Sequence, residues 1–398
     1  MAQYLRLFDT VNEFNSAYTG EEYIEPWVSY TEENEHVDYN KSEMEKLLGT
    51  PLTFEVTGDG NIVWAISGST SFAKTISYSK NGGEWTEITS TTAGVSIPVV
   101  SGDTVQFKGD NSYYASAWTS AGGGIEQRKS SFFKTTCTFN AYGNIMSLID
   151  SEDFATLDTF EANGCFAGLF NGGWGNGATG LTSVANLVLP VKELTFGCYA
   201  SMFHGCSSLV DVPQILATTM AESCYDGMFM YCTSLTSVPK DYLSAKTVFR
   251  RSYACMFWRC RNLSSIPDLP ATALGASCYF RLFEETDITD ASISPNYLSS
   301  ANVLAEGCYV SMFGETNITR APDLLASTLV ERCYESMFGG CTNLNYIKCL
   351  ATDVSASNCL SNWVTGVAAS GTFVKKSGVA WPSGTGGIPT GWTVEDAS

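Results

Sequence analysis

The sequence predicts a mixed α/β repeat, a solenoid preceded by an all-β sandwich and a short N-terminal arm. Three observations predict it. One motif recurs at near-constant spacing between residues 160 and 365. Short alternating strands separated by turn residues fill residues 50–145. The first 49 residues are aromatic and acidic and too short to bury a core alone. The resulting division is an N-terminal docking arm (1–49), a β-sandwich (50–150), a repeat domain (160–365) and a C-terminal cap (366–398).

Composition narrows the function. The chain has 398 residues, 44 % of them apolar and only 16 % charged, with 22 Lys+Arg against 41 Asp+Glu and a net charge of −19. That field repels phosphate backbones, so nucleic-acid partners are not expected. Two histidines, His36 and His204, leave little for a His-based metal site or a Ser-His-Asp triad. Fourteen cysteines are too sparse for a disulfide scaffold. No apolar run approaches the length of a membrane span, and Arg6 and Asp9 interrupt the only apolar stretch near the start. Met1 therefore reads as a native start without an export signal.

In the arm, Val11–Tyr18 has the pattern of a short helix and Pro26 ends any helix reaching it. The acidic run from Glu21 to Asp38 reads either as a solvated arm or as a segment ordered against a partner or a second copy. In the sandwich, Leu52, Phe54 and Val56 alternate before a turn at Gly58-Asp59-Gly60. Ile76 and Tyr78 lead into Asn81-Gly82-Gly83, a strong hairpin signal. Val95, Ile97 and Val99 precede a Ser-Gly-Asp turn, then Val105 and Phe107. Asp59 and Asp110 read as turn residues, with calcium contact the sharper alternative. Gly122-Gly123-Gly124 lacks the following Gly-Lys-Ser/Thr of a phosphate loop.

The repeats begin at Cys198, Cys224, Ser252, Cys278, Cys308, Cys333 and Cys359, with steps of 26, 28, 26, 30, 25 and 26 residues and a degenerate early copy at Cys165. The longer steps carry extra residues at one phase, which places insertions on one flank of a stack. In TMAESCYDGMFMYC, Met220, Cys224 and Met228 recur at helical spacing and Tyr225 and Phe229 form an i,i+4 pair, predicting a short helix or helical turn. CTSLTSVP places Leu235 and Val238 in a short extended stretch ended by Pro239. One unit cannot bury either half, but stacked units can, with strands ~4.8 Å apart. The cysteines fall in two phases. Zinc or a redox relay is one reading, yet no CxxC occurs. Packing is the other, because a buried thiol is a small hydrophobe and weak donor. The tail is rich in Gly and Pro, and Trp381 and Trp392 are placed to cover the last rung.

The MFxGCxSLxxVP phrase resembles the xAFxGCxxLxxIxIP pattern of BspA-type leucine-rich-repeat surface proteins, over residues 160–365. The units here are longer, and CYxxMF replaces the usual run before the Phe. The repeats are more similar still to the CYxxMFxGCTSLTxAP repeats encoded by gut Bacteroidales and their phages, as is the tail from Gly371. The resemblance implies a leucine-rich-repeat-like fold and a role in adhesion and recognition rather than catalysis; it transfers no binding residue. A recognition domain without an export signal fits a virion protein, a fibre or decoration protein assembled in the bacterial cytoplasm and extracellular after lysis. It would contact other virion proteins through residues 1–49 and a host-surface glycan or protein through the repeats, with no cofactor, no membrane insertion and homo-oligomerisation possible. A bacterial cell-surface adhesin is the alternative, and an enzyme with a repeat accessory domain the third reading.

Three features are candidate binding elements. Arg250, Arg251, Arg259 and Arg261 surround Trp258 in one rung, reading as a pocket for an acidic glycan or as ion pairs with Glu284 and Glu285, which occupy the phases of Trp258 and Arg259 one rung later. Trp174 in the Gly-rich FNGGWGNGATG reads as an exposed sugar platform or as a side chain folded back on the first rung. The positions after each Phe vary (His204, Met230, Tyr231, Trp258, Arg259, Glu284, Glu285), and a changing strip on a constant framework suits recognition.

Overall fold

The computed structural model describes residues 28–30, 36–38, 41–67, 72–115, 129–171 and 177–397. The expected Val11–Tyr18 helix, the Gly122–Gly124 loop and Trp174 lie outside them. Strands β1 (Val28–Tyr30) and β2 (His36–Asp38) pair antiparallel, and a helix covers Lys41–Leu48. The sandwich strands are β3 (Leu52–Val56), β4 (Gly60–Ser67), β5 (Thr75–Lys80), β6 (Thr86–Thr89), β7 (Val95–Val99), β8 (Thr104–Lys108), β9 (Ser130–Thr135) and β10 (Phe139–Asn144). The repeats add β11 (Leu181–Ser183), β12 (Leu187–Leu189), β13 (Gln214–Ile215) and β14 (Tyr346–Cys349), and the tail adds β15 (Thr372–Lys375) and β16 (Thr393–Asp396).

Alternation in β3, β4 and β8 turns their apolar side chains toward one core. Phe54 packs on Phe107 at 4.8 Å and on Phe133 at 5.0 Å, and Trp64 on Phe133 at 4.8 Å. One sheet runs β13-β12-β10-β3-β8-β5-β6 and the facing one β7-β4-β9. The Asn81-Gly82 turn joins β5 and β6, both residues having positive φ (53° and 70°), as a type I′ turn demands. Asp59 accepts from Ser101 N at 2.9 Å and Asp110 from Ser151 N at 2.8 Å, each tying one loop to another.

The repeats do stack, but the predicted mixed α/β class is corrected. The protein is mostly β, and among the described residues the one α-helix is Lys41–Leu48, outside the repeats. The CYxxMF segments are not helical because every fourth residue is left-handed: Gly197 (φ 60°), Ser201 (53°) and Gly205 (74°), then Ser223 (56°), Gly227 (65°) and Tyr231 (63°). Each left-handed residue breaks the i→i−4 ladder and turns alternate N–H groups sideways. Tyr199 N donates to Cys224 O at 2.9 Å, Ser201 N to Asp226 O at 2.8 Å and Phe203 N to Met228 O at 2.9 Å, all in the next rung. The intervening N–H groups close four-residue turns, such as Met202 N to Tyr199 O at 3.2 Å. A helix would have directed every N–H along its own axis and left neighbouring rungs unbonded. The left-handed conformation costs about 1–2 kcal/mol per non-glycine residue, and the inter-rung bonds offset it.

Two aromatic columns fill the interior. Phe170, Phe203, Phe229, Phe257, Phe283, Phe313 and Phe338 stack with centroids 5.3–6.2 Å apart. Phe166, Tyr199, Tyr225, Tyr253, Tyr279, Tyr309, Tyr334 and Trp363 form the second. Both start inside the sandwich, since Phe133 stacks on Phe170 and Tyr114 on Phe166. Strand β10 joins the two regions, pairing antiparallel with β3 and parallel with β11 and β12. At the far end β14, β15 and β16 continue in parallel, Trp381 stacks on Trp363 at 6.0 Å, and Trp392 donates to Ala368 O at 2.7 Å.

The thiols serve this stacking. Cys206, Cys232, Cys260 and Cys341 donate to the carbonyls of Phe170, Phe203, Phe229 and Phe313, one rung back, at 2.9–3.2 Å. Where the phase holds Thr286 or Thr316, the hydroxyl donates to the Phe carbonyl of its own rung at 2.7 Å. Ser252, standing in the other cysteine phase, donates to Phe249 O at 2.9 Å, three residues back, as Cys165 does to Ala162 O. Cys260→Thr should therefore stay within about 1 kcal/mol of the parent, while Cys260→Ala, losing both donor and volume, should lose about 1–2 kcal/mol. Urea denaturation of the two variants checks the difference.

Candidate recognition surface

The turn-built segments set two columns along one flank, the positions one and two residues beyond each Phe, the first of them buried at His204 and Met230. Their backbone is the same in every rung, so only the side chains change. His204 is buried and its ring stacks on Tyr231 at 5.6 Å. Tyr231 lies 5.8 Å from Trp258 in the next rung. The Arg259 guanidinium sits over both rings, 5.2 Å from the Tyr231 centroid and 4.9 Å from that of Trp258. Arg281, one rung further, lies 4.9 Å from the Trp258 centroid and 5.2 Å from Phe280, and Arg251 5.5 Å from Phe280. Three guanidiniums thus interleave with Tyr231, Trp258 and Phe280, each contact worth about 0.5–1 kcal/mol where exposed.

Acidic side chains hold this ladder from the side. Arg259 Nε donates to Glu285 at 2.5 Å, Arg261 to the other Glu285 oxygen at 2.8 Å, and Arg259 also donates to the Tyr231 hydroxyl. Arg251 donates to the buried Asp226 at 2.9 Å, and Arg250 pairs with Glu222 at 3.3 Å. Burial works to raise Glu285, but the hydrogen bonds from Arg261 and Arg259 prevail and hold it below the usual carboxylate range. Of the expected strip, Tyr231, Trp258, Arg259, Glu284 and Glu285 come together, with Arg261 of the basic rung beside them; His204 joins through Tyr231. The ion-paired arrangement is present, and with two guanidiniums and Tyr231 on the Trp258 ring, Trp258 is not an open stacking platform. Arg261 remains the outermost cation, its side chain 64 % exposed. Sequence reading missed Arg281 and Phe280. They occupy the phases of Ser201 and Ala200, three and two residues after the Cys, and comparing those phases across rungs would have found them.

The cysteines carry no comparable chemistry. All fourteen are free and buried, and burial pushes the Cys260 thiol up to about 12, so it stays protonated near neutrality. Among the described residues no group of three or more His, Cys, Asp or Glu is placed to hold a metal ion. No family model, curated protein or solved structure matches the chain. What stands defined is a β-rich protein of stacked turns whose side-chain ladder lies along one flank.

Proposed function

We propose that this chain is a structural recognition protein of a bacteriophage virion, a fibre or decoration protein held to the particle through residues 1–49 and presenting its repeat stack to a host-surface glycan or protein. The observation that carries this reading is the Tyr231–Arg259–Trp258–Arg281 ladder, a run of aromatic and cationic groups set on a backbone that is otherwise uniform from rung to rung. Five of the nine arginines of an acidic chain gather there. Aromatic and Arg side chains are the groups that dominate binding energy at interfaces, and the buried columns beneath hold them at fixed spacing. The motif resemblance to repeats of gut Bacteroidales and their phages supports the setting.

Mass spectrometry of purified virions should find the chain, and deleting residues 1–49 should release it; unchanged incorporation would refute the docking role. Particles carrying Trp258→Ala with Arg259→Ala should adsorb to host cells at least roughly tenfold more weakly. Full adsorption by folded double-variant particles, or the chain in envelopes of uninfected cells, counts against the proposal.

A further inference from the structure

Within the ladder three buried polar atoms make no hydrogen bond among the described residues: Nε1 of Trp258, Nε of Arg281 and Oε2 of Glu284. They belong to one cluster, since the Arg281 guanidinium lies over the Trp258 ring at 4.9 Å and its Nη1 stands 3.3 Å from Glu284 Oε2. Buried polar groups are nearly always paired, and each exception asks for a cause. The neighbouring cations differ: Arg251, Arg259 and Arg261 each donate a hydrogen bond of 2.5–2.9 Å to a carboxylate. Arg281 and Glu284 meet as an ion pair without hydrogen-bond geometry, so this pair is the loosest joint in the ladder.

The orphan atoms specify a ligand. Trp258 and Arg281 offer two N–H donors, which a carboxylate accepts, Arg281 through its planar fork. Glu284, once displaced from Arg281, offers an acceptor that a hydroxyl can meet. A sugar acid carries both groups. We propose that Arg281 and Trp258 bind the carboxylate end of an acidic saccharide, with Glu284 standing in the place of that carboxylate until the ligand displaces it. The proposal rests on the reading of this flank as a recognition surface and names what it recognises.

Glu284 makes the exchange depend on pH. Burial raises its carboxyl to about 7, with Arg281 opposing and Glu285 in its own rung and Glu315 in the next adding to the rise. Arg259 in the preceding rung pulls the other way, and the buried Cys255 thiol nearby stays neutral. Above that range Glu284 is ionised and competes for Arg281; below it Glu284 is neutral and yields, while a sugar carboxylate stays charged.

Titration of the purified full chain with D-glucuronate and N-acetylneuraminate, against D-glucose, tests this. Both acids should bind and glucose should not. Affinity should fall roughly tenfold between about pH 6 and about pH 8. Glu284→Gln should abolish that pH dependence, and Arg281→Gln, shown folded by its thermal transition, should lose at least roughly tenfold in affinity. Arg281→Lys, which keeps the charge but not the fork, should recover only part of it. No binding of either acid, or binding untouched by Arg281→Gln, overturns the proposal. Binding of neutral sugars alone overturns it too, yet leaves the recognition surface standing. Sugar-acid binding by a chain absent from virions would sink the virion reading and leave this one intact.

Discussion

Phe257→Ala should destabilise the protein by about 3–5 kcal/mol. Phe257 is fully buried in mid-stack, with Phe229 at 5.6 Å on one side and Phe283 at 5.9 Å on the other. Truncation removes the ring, its stacking contacts with both neighbours and the large side chain at that point of the column. The surroundings cannot close the gap, because backbone hydrogen bonds on either side hold the rung, from Phe229 N to Met256 O at 2.9 Å and from Phe257 N to Leu282 O at 3.2 Å. Stability in a stack is a sum of rung and nearest-neighbour terms, so the damage should be directional. Rungs from Cys278 onward lose their connection to the sandwich, whereas those before Phe229 keep it. Hydrogen exchange should show amide protection falling more between residues 278 and 366 than between 50 and 150. Equal loss across the chain, or a loss below about 1 kcal/mol, would contradict the column as the source of stability.

The same column shows what was legible in the sequence and what was not. The stacking register, the inward Phe and the packing role of the thiols follow from a motif that returns at fixed phase. Ser252 at one cysteine phase and the loss of the second Cys in GETNI already argue for packing rather than ligation, and the structure finds Ser252 and Thr316 each donating to a backbone carbonyl. The helical reading failed because Met220, Cys224 and Met228 repeat every four residues, and over so short a run a period of four and one of 3.6 drift apart by less than one residue. The left-handed positions were marked only in part. Gly197, Gly205 and Gly227 suggest them, but Arg251, Cys255 and Arg259 hold the same conformation (φ 54°, 55° and 62°) without any local signal. There the inter-rung hydrogen bonds override intrinsic preference. The ladder was half visible: the arginines around Trp258 and the acids one rung later stood out, while Arg281 did not, because its importance lies in the rung it reaches back to.

Gly180→Ala should separate what β10 holds together. A Cβ on Gly180 would stand 2.0 Å from Cys137 O and 3.0 Å from its carbonyl carbon, contacts no folded chain accommodates without backbone movement. Gly180 O accepts from Phe139 N at 3.0 Å, and the next residue, Leu181, is the β11 partner of Phe139. The smallest possible addition therefore forces apart the first parallel pairing between sandwich and repeats. Contacts that still cross the junction include the β10–β12 pairing, the bonds from Tyr114 N to Cys165 O and from Phe133 N to Leu169 O, and the stacking of Phe170 on Phe133 and Phe54. The Phe166–Tyr114 stack should weaken with the displaced backbone. A loss of at least about 3 kcal/mol is expected, at the severe end for a single substitution. The parent, with one hydrophobic core running from the sandwich into the stack, should lose protection in both regions over the same range of urea concentration. The variant should lose it first in the repeats nearest the junction, residues 165–215, while the antiparallel pairs β4–β9 and β3–β8 persist. Coincident loss at an unchanged midpoint would show that the junction is dispensable, and that the sandwich and the stack each carry their own stability.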